Sequence, residues 1–131
     1  MRTNYEDYQV MGVVNFKLTK VYRLAFDQAM EIFFITKNFP KEEVYSLTGQ
    51  IRRSSRSICS NLAEAYRKKI YPANFVSKIS DCDGENSETG VWLDFALACN
   101  YITSEQHTHF IQRNEEIGRL LGHMRINPGK Y

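Results

Sequence analysis

Apolar residues recur at helical spacing in four stretches of this chain, and the second stretch carries the plainest pattern. Between Leu47 and Lys69, at roughly 100° per residue, Leu47, Ile51, Ile58 and Leu62 fall within about 60° of one another. Arg52, Arg53, Arg56 and Arg67 lie on the opposite side. The segment therefore reads as a helix with one face for packing and one for water or a polyanion. Ser54, Ser55, Ser57, Ser60, Ala63 and Ala65 fill the sectors between, so neighbouring helices are expected to approach closely.

The other three stretches are also helical in period. From about Leu18 to Asn38, Val21, Leu24, Ile32 and Ile35 form one stripe, with Phe39 just beyond, and Tyr22, Phe26, Ala29 and Phe33 form a second. Together they cover about 200° of the wheel, where one core face needs roughly 100°. The surplus predicts a partner surface. Pro40 stops this helix, and Lys41 to Glu43 are expected to open the next, with acids in the first turn where the helix dipole favours them. A third helix is expected from Pro72 to about Tyr101, with Phe75, Ile79, Cys82, Leu93 and Leu97 on its stripe and an interruption near Asp83 and Asn86. Trp92 and Phe95 project away from that stripe. Thr103 and Gln106 fit a capping box for a last helix with Phe110, Ile117, Leu121 and Met124 inside, ended by Asn127, Pro128 and Gly129.

Four helices with short connections predict an all-α fold, an antiparallel up-down-up-down four-helix bundle. Residues 1–16 show no sustained period and read as a loose N-terminal extension, leaving 17–131 as the bundle domain. At 131 residues, 43% of them hydrophobic, the chain is long enough for one domain with a real core.

Charge and cysteine content narrow the function. The net charge is +2 from 17 basic and 15 acidic residues, so a nucleic-acid role would need local clustering and not a global basic field. Cys59, Cys82 and Cys99 are odd in number, lack C-x-x-C spacing and fall within apolar segments, which suits a reduced cytoplasm. No apolar run approaches the roughly 18 residues that would span a bilayer, so no membrane partner is expected.

Three constellations resemble chemical sites. Asp81 to Gly84 suggests a calcium loop, but the register that puts Gly84 at the glycine position leaves Ile79 and Gly90 where carboxylates are needed. His107 and His109 fall on different helix faces without the companions a zinc site requires. Asp81, Asp83, Glu85 and Glu88 lack a nearby nucleophile and base, and read as helix-surface or interhelical ion pairs. No enzyme, metal or cofactor is expected.

The chain does resemble a known family. The phrase FP-x-x-E-x-Y-x-L-x-x-Q-I-R-R-x-x-x-S-I-x-x-N-x-A-E, here Phe39-Pro40, Glu43, Tyr45, Leu47, Gln50 to Arg53, Ser57-Ile58, Asn61 and Ala63-Glu64, is similar to the bacterial four-helix-bundle proteins first described as products of intervening sequences in large-subunit ribosomal RNA genes. The similarity runs from about Phe16 to Ile126. Ala65 stands where the family usually has glycine. The resemblance implies a homo-oligomeric ring, typically a homopentamer with a central channel. Among the relatives is the accessory variability determinant of diversity-generating retroelements, which binds a reverse transcriptase and nucleic acid through a basic surface. No catalytic residues come with the family.

Two function classes stand at this point. In the first, a ring-like scaffold contacts RNA, DNA or a nucleic-acid enzyme, with Arg52, Arg53, Arg56, Arg67 and Lys68 on phosphates and Tyr22, Phe26, Phe33, Trp92 and Phe95 at the oligomer interface. In the second, the protein is a purely structural or protein-interaction module whose arginines pair with Glu64 and the acids of the third helix.

Overall fold

The computed structural model describes residues 15–131, so residues 1–14 of the expected extension lie outside it. Four helices carry the fold: α1, Lys20–Thr36; α2, Leu47–Arg67; α3, Pro72–Ala98; and α4, Ser104–Ile126. Among the described residues there is no strand. Each helix packs on the next in sequence, and α1 also packs on α4, which closes the antiparallel up-down-up-down square. Phe16, expected in the extension, instead belongs to the bundle. It sits in a 3-10 turn, Phe16–Leu18, with its ring 5.3 Å from Tyr22 and 6.4 Å from Tyr66.

Local chemistry sets the helix ends. The Thr19 hydroxyl caps α1 by accepting from the Tyr22 N–H at 3.3 Å. The expected capping box opens α4: Gln106 N–H donates to Thr103 Oγ1 at 3.1 Å, and Thr103 N–H donates to Gln106 Oε1 at 2.9 Å. Helix α3 ends earlier than its pattern suggests, because Asn100 takes a left-handed conformation at φ 61°. Asn100 N–H then reaches Leu97 O and Tyr101 N–H reaches Ala96 O, both at 2.9 Å, which satisfies the last carbonyls.

The start of α2 departs from expectation. Lys41–Glu43 form a separate 3-10 turn, and α2 begins only at Leu47. Ser46 (φ −125°, ψ −113°) breaks the helical path, and the first turn is served from outside by the Glu43 carboxylate, which accepts from the Leu47 N–H at 3.3 Å. Here the chain folds back so tightly that a Cβ on Gly49 would lie 3.0 Å from the Val44 carbonyl oxygen.

The interior is two apolar cores separated by a polar waist. One core gathers Val21, Ala25, Ile58, Leu62, Ala65, Phe75, Ile79, Cys82, Ile117, Leu121 and Met124. The other gathers Ile32, Phe39, Leu47, Ile51, Leu93, Ala96, Ile102 and Phe110. Each fully buried Ile or Leu contributes about 1.5–3 kcal/mol relative to its exposed state. Between the cores lie buried Gln28, Ser54, Ser55, Asn86 and Thr89. Ser54 Oγ and Thr89 Oγ1 share a 2.8 Å hydrogen bond between α2 and α3. Asn86 and Asn114 join α3 to α4: each donates its amide to the other's backbone carbonyl, at 2.8 and 2.9 Å. Gly90 leaves room for that pair, since a Cβ there would lie 3.0 Å from Asn114 Oδ1. The interruption of the α3 stripe at Asn86 is therefore part of the interior.

Candidate nucleic-acid interface

The arginines of α2 form two flanks and not one stripe. Arg53 leans toward α3, where its guanidinium meets Glu85 at 3.2 Å and Glu88 at 2.6 Å. That is the internal pairing expected of the rival reading, and it raises the Arg53 pKa above its ordinary value, chiefly through the Glu88 bond. Lys78 likewise bridges Glu64 at 2.7 Å and Asp81 at 3.6 Å, while Arg125 lies 3.8 Å from Asp83. The four acids of α3 thus hold neighbouring cations, as the sequence suggests.

Arg52 and Arg56 lean the other way, onto α1. Arg52 Nε donates to Thr36 Oγ1 at 2.8 Å and Nη2 to the Phe33 carbonyl at 3.4 Å. The Phe33 ring is covered by cations: Arg52 Cζ lies 4.9 Å from its centroid, Arg56 Cζ 5.7 Å and Lys37 Nζ 4.9 Å. Phe33, expected as open oligomer surface, is therefore half-buried beneath the basic flank. Among the described residues, no carboxylate lies within 4.0 Å of Arg52, Arg56, Lys37 or Lys41. Arg67 and Lys68 are exposed at the far end of α2, also without such a partner.

Lys37 and Lys41 lie outside the periodic stripes, in the connection between α1 and α2. With Arg52 they line a cleft of about 370 Å³ between the end of α1 and the start of α2. The signal that could have found them is the run FFITKNFPK, where aromatics and lysines alternate at a helix end.

The remaining apolar surplus sits on opposite corners of the bundle. On α1, Phe26 is 48% exposed, Phe34 is 57% exposed and Met30 lies between them. Tyr22 is half-buried, stacked on Phe26 at 6.1 Å. On α3, Phe95 is 54% exposed and half-buried Trp92 lies 6.1 Å from it, with Trp92 Nε1 donating to Glu88 at 3.3 Å. These two rings, with Leu47, Gln50, Glu43 and Cys99, line a cleft of about 250 Å³. Cys99, expected within an apolar segment, is exposed at this rim; burial pushes the Cys59 and Cys82 thiols up to about 12, which keeps both protonated.

The other expected features resolve into structure. Asp81 to Gly84 lie in continuous α3 helix, and His107 and His109 contact Asp94 at 2.8 Å and Glu31 at 3.1 Å. Arg113 also pairs with Glu31, tying α4 to α1. No described helix is long and apolar enough to cross a membrane.

Residues 17–123 match the family of 23S rRNA-intervening sequence proteins. The fold is similar to that of a protein of unknown function from the S23 ribosomal protein family of Bacteroides thetaiotaomicron. The TM-score is 0.72 and the identity 29%, over 80% of this chain and 94% of that one. No curated protein matches the chain.

Proposed function

The chain belongs to the 23S rRNA-intervening sequence protein family, and we propose that it is a non-enzymatic, cytoplasmic, homo-oligomeric scaffold, a ring of five, that contacts RNA or an RNA–protein complex through α2. The observation that carries the nucleic-acid part is the contrast between the two flanks of that helix. Arg53 is neutralised by Glu85 and Glu88, whereas half-buried Arg52 and exposed Arg56 have no carboxylate within 4.0 Å among the described residues. Arg67 and Lys68 extend the same charge along the helix. Such cations position a phosphate backbone without reading its sequence.

Assembly is supported by the placement of apolar surface. The α1 patch around Phe26 and Met30 and the α3 patch around Trp92 and Phe95 lie on diagonal helices of the square. Two different patches on opposite sides favour head-to-tail association, which gives a ring when the rotation between copies closes. The Arg53 pairs support the second reading, a purely structural or protein-interaction module, for that residue alone.

One experiment tests both parts. Light scattering should give a mass near five times the 15.3 kDa protomer, and Trp92→Asp should lower it by placing a charge at an apolar contact. With assembly intact, replacing Arg52, Arg56 and Arg67 by Gln should weaken RNA binding far more than one lost contact would, because the loss repeats around the ring. A protomer mass, or undiminished binding by the triple variant, would overturn the corresponding part.

A further inference from the structure

We propose that the end of α1 is a site for single-stranded nucleic acid, in which an unpaired base stacks on Phe34 while the adjoining phosphates lie against Lys37, Lys41 and the free edge of Arg52. The inference rests on the nucleic-acid reading above and names the class of nucleic acid that reading leaves open. Four features converge there. Phe34 is the most exposed phenylalanine among the described large apolar residues, at 57%, and it stands edge-on to Phe33 with the centroids 5.4 Å apart. Phe33 is half-buried under Arg52, Arg56 and Lys37, whereas Phe34 meets Lys37 alone and is the ring with more surface left for a base. Lys37 Nζ lies over one face of the Phe34 ring, 5.2 Å from its centroid, and links the ring to the 370 Å³ cleft that Lys37, Lys41 and Arg52 line.

The fourth feature is charge. Arg52 uses two of its five N–H donors on Thr36 and Phe33, and the other three remain for a ligand. Lys37, Arg52 and Arg56 lie over the two rings and Lys41 lines the adjoining cleft, and among the described residues none of the four has a carboxylate within 4.0 Å. Glu42, beside Lys41 in the connection, does not line the cleft and forms no ion pair among the described residues. An apolar protein surface would leave those charges unanswered, while a polyanion answers them. An open aromatic face beside a cationic groove is the arrangement by which proteins bind single strands with little sequence preference, because every base has a π face. A duplex keeps its bases stacked internally and can use only the cations.

The test uses the assembled wild-type protein and the variants Phe34→Leu and Phe34→Tyr. Leucine keeps an apolar side chain without a π face, and tyrosine keeps the ring. Binding to a mixed-sequence single-stranded RNA, its DNA counterpart and a blunt duplex is read by anisotropy at low salt, with oligomer mass checked by light scattering. Phe34→Leu should weaken single-strand binding about 5-fold or more, Phe34→Tyr should restore it, and duplex binding should be the same in all three. Independently of any variant, ultraviolet cross-linking of the single strand to wild-type protein should place an adduct on the tryptic peptide from Leu24 to Lys37. If Phe34→Leu binds single strands as wild type does, or if cross-links avoid that peptide, the stacking site is wrong. Loss of binding in the arginine variants would then still leave the broader RNA reading standing. If wild type binds neither RNA nor DNA, and an acidic peptide or another protein occupies the face instead, both fall.

Discussion

Gln28 offers a sharp test of the interior. Its side chain is 0% exposed on α1, one turn from Ala25 in one core and Ile32 in the other. Neither Nε2 nor Oε1 has a hydrogen-bond partner among the described residues. With no partner on the neighbouring helices, burying the amide costs about 1–3 kcal/mol on the scale of core substitutions. Methionine has a similar length and volume, is unbranched and flexible enough to fill the same space, and carries no amide. Gln28→Met should therefore stabilise the fold by about 1–3 kcal/mol. For a domain of this length that is about 3–5 °C in Tm per kcal/mol, an increase of about 3–15 °C. Urea and thermal unfolding followed by circular dichroism, at a fixed protomer concentration because assembly adds its own stability, would measure it. Gln28→Ala separates the terms, since it removes the amide but opens a cavity and should gain less or lose. A Gln28→Met variant less stable than wild type by about 1 kcal/mol or more would show that the amide is bonded in the native protein, and the reasoning would fail.

Two further outcomes follow from the packing and the charges. Ala65 is fully buried, so Ala65→Leu should destabilise by about 1–3 kcal/mol through overpacking, while Ala63→Leu, at a half-buried position, should cost clearly less; equal melting temperatures for both would refute the distinction. The Glu43 carboxyl is held below its ordinary value of 4.5, first by the Tyr101 hydroxyl at 2.9 Å and then by the Leu47 N–H. A depressed carboxylate stabilises fully above its unfolded value and loses that contribution as pH falls through the folded one. Glu43→Gln should therefore melt below wild type at neutral pH, and the two curves should converge as the pH drops below 4.5.

The residues that made the fold legible are those with regular spacing. Leu47, Ile51, Ile58 and Leu62 are all buried as their period requires, and Thr103 with Gln106 forms the capping box that the sequence spells out. What periodicity misses is anything decided by a neighbour. The KEE turn has acids suited to a helix start, yet the chain keeps turning there because Gly49 lets Val44 fold back and Glu43 serves the Leu47 N–H from outside. A helical wheel places all four arginines of α2 on one side, but the acids of α3 and the aromatics of α1 divide them, and only the assembled bundle shows which arginine meets which. The burial of Gln28 is likewise decided by a neighbour. A single polar residue between apolar neighbours reads as surface until the helix opposite covers it.

The phosphate contact proposed for the α1-facing flank of α2 is the step on which the nucleic-acid function rests. It is tested most directly by the salt dependence of RNA binding to the assembled wild-type protein and to the variant with Arg52, Arg56 and Arg67 changed to Gln. Each phosphate contact adds about −0.7 to the log–log slope for a single strand. The wild type should show a steep negative slope, shallower by about 2 in the variant for each subunit engaged, with the oligomer unchanged. A slope near zero in wild type, or the same slope in both proteins, would contradict the claim and leave these arginines as a solvated flank of a purely structural bundle.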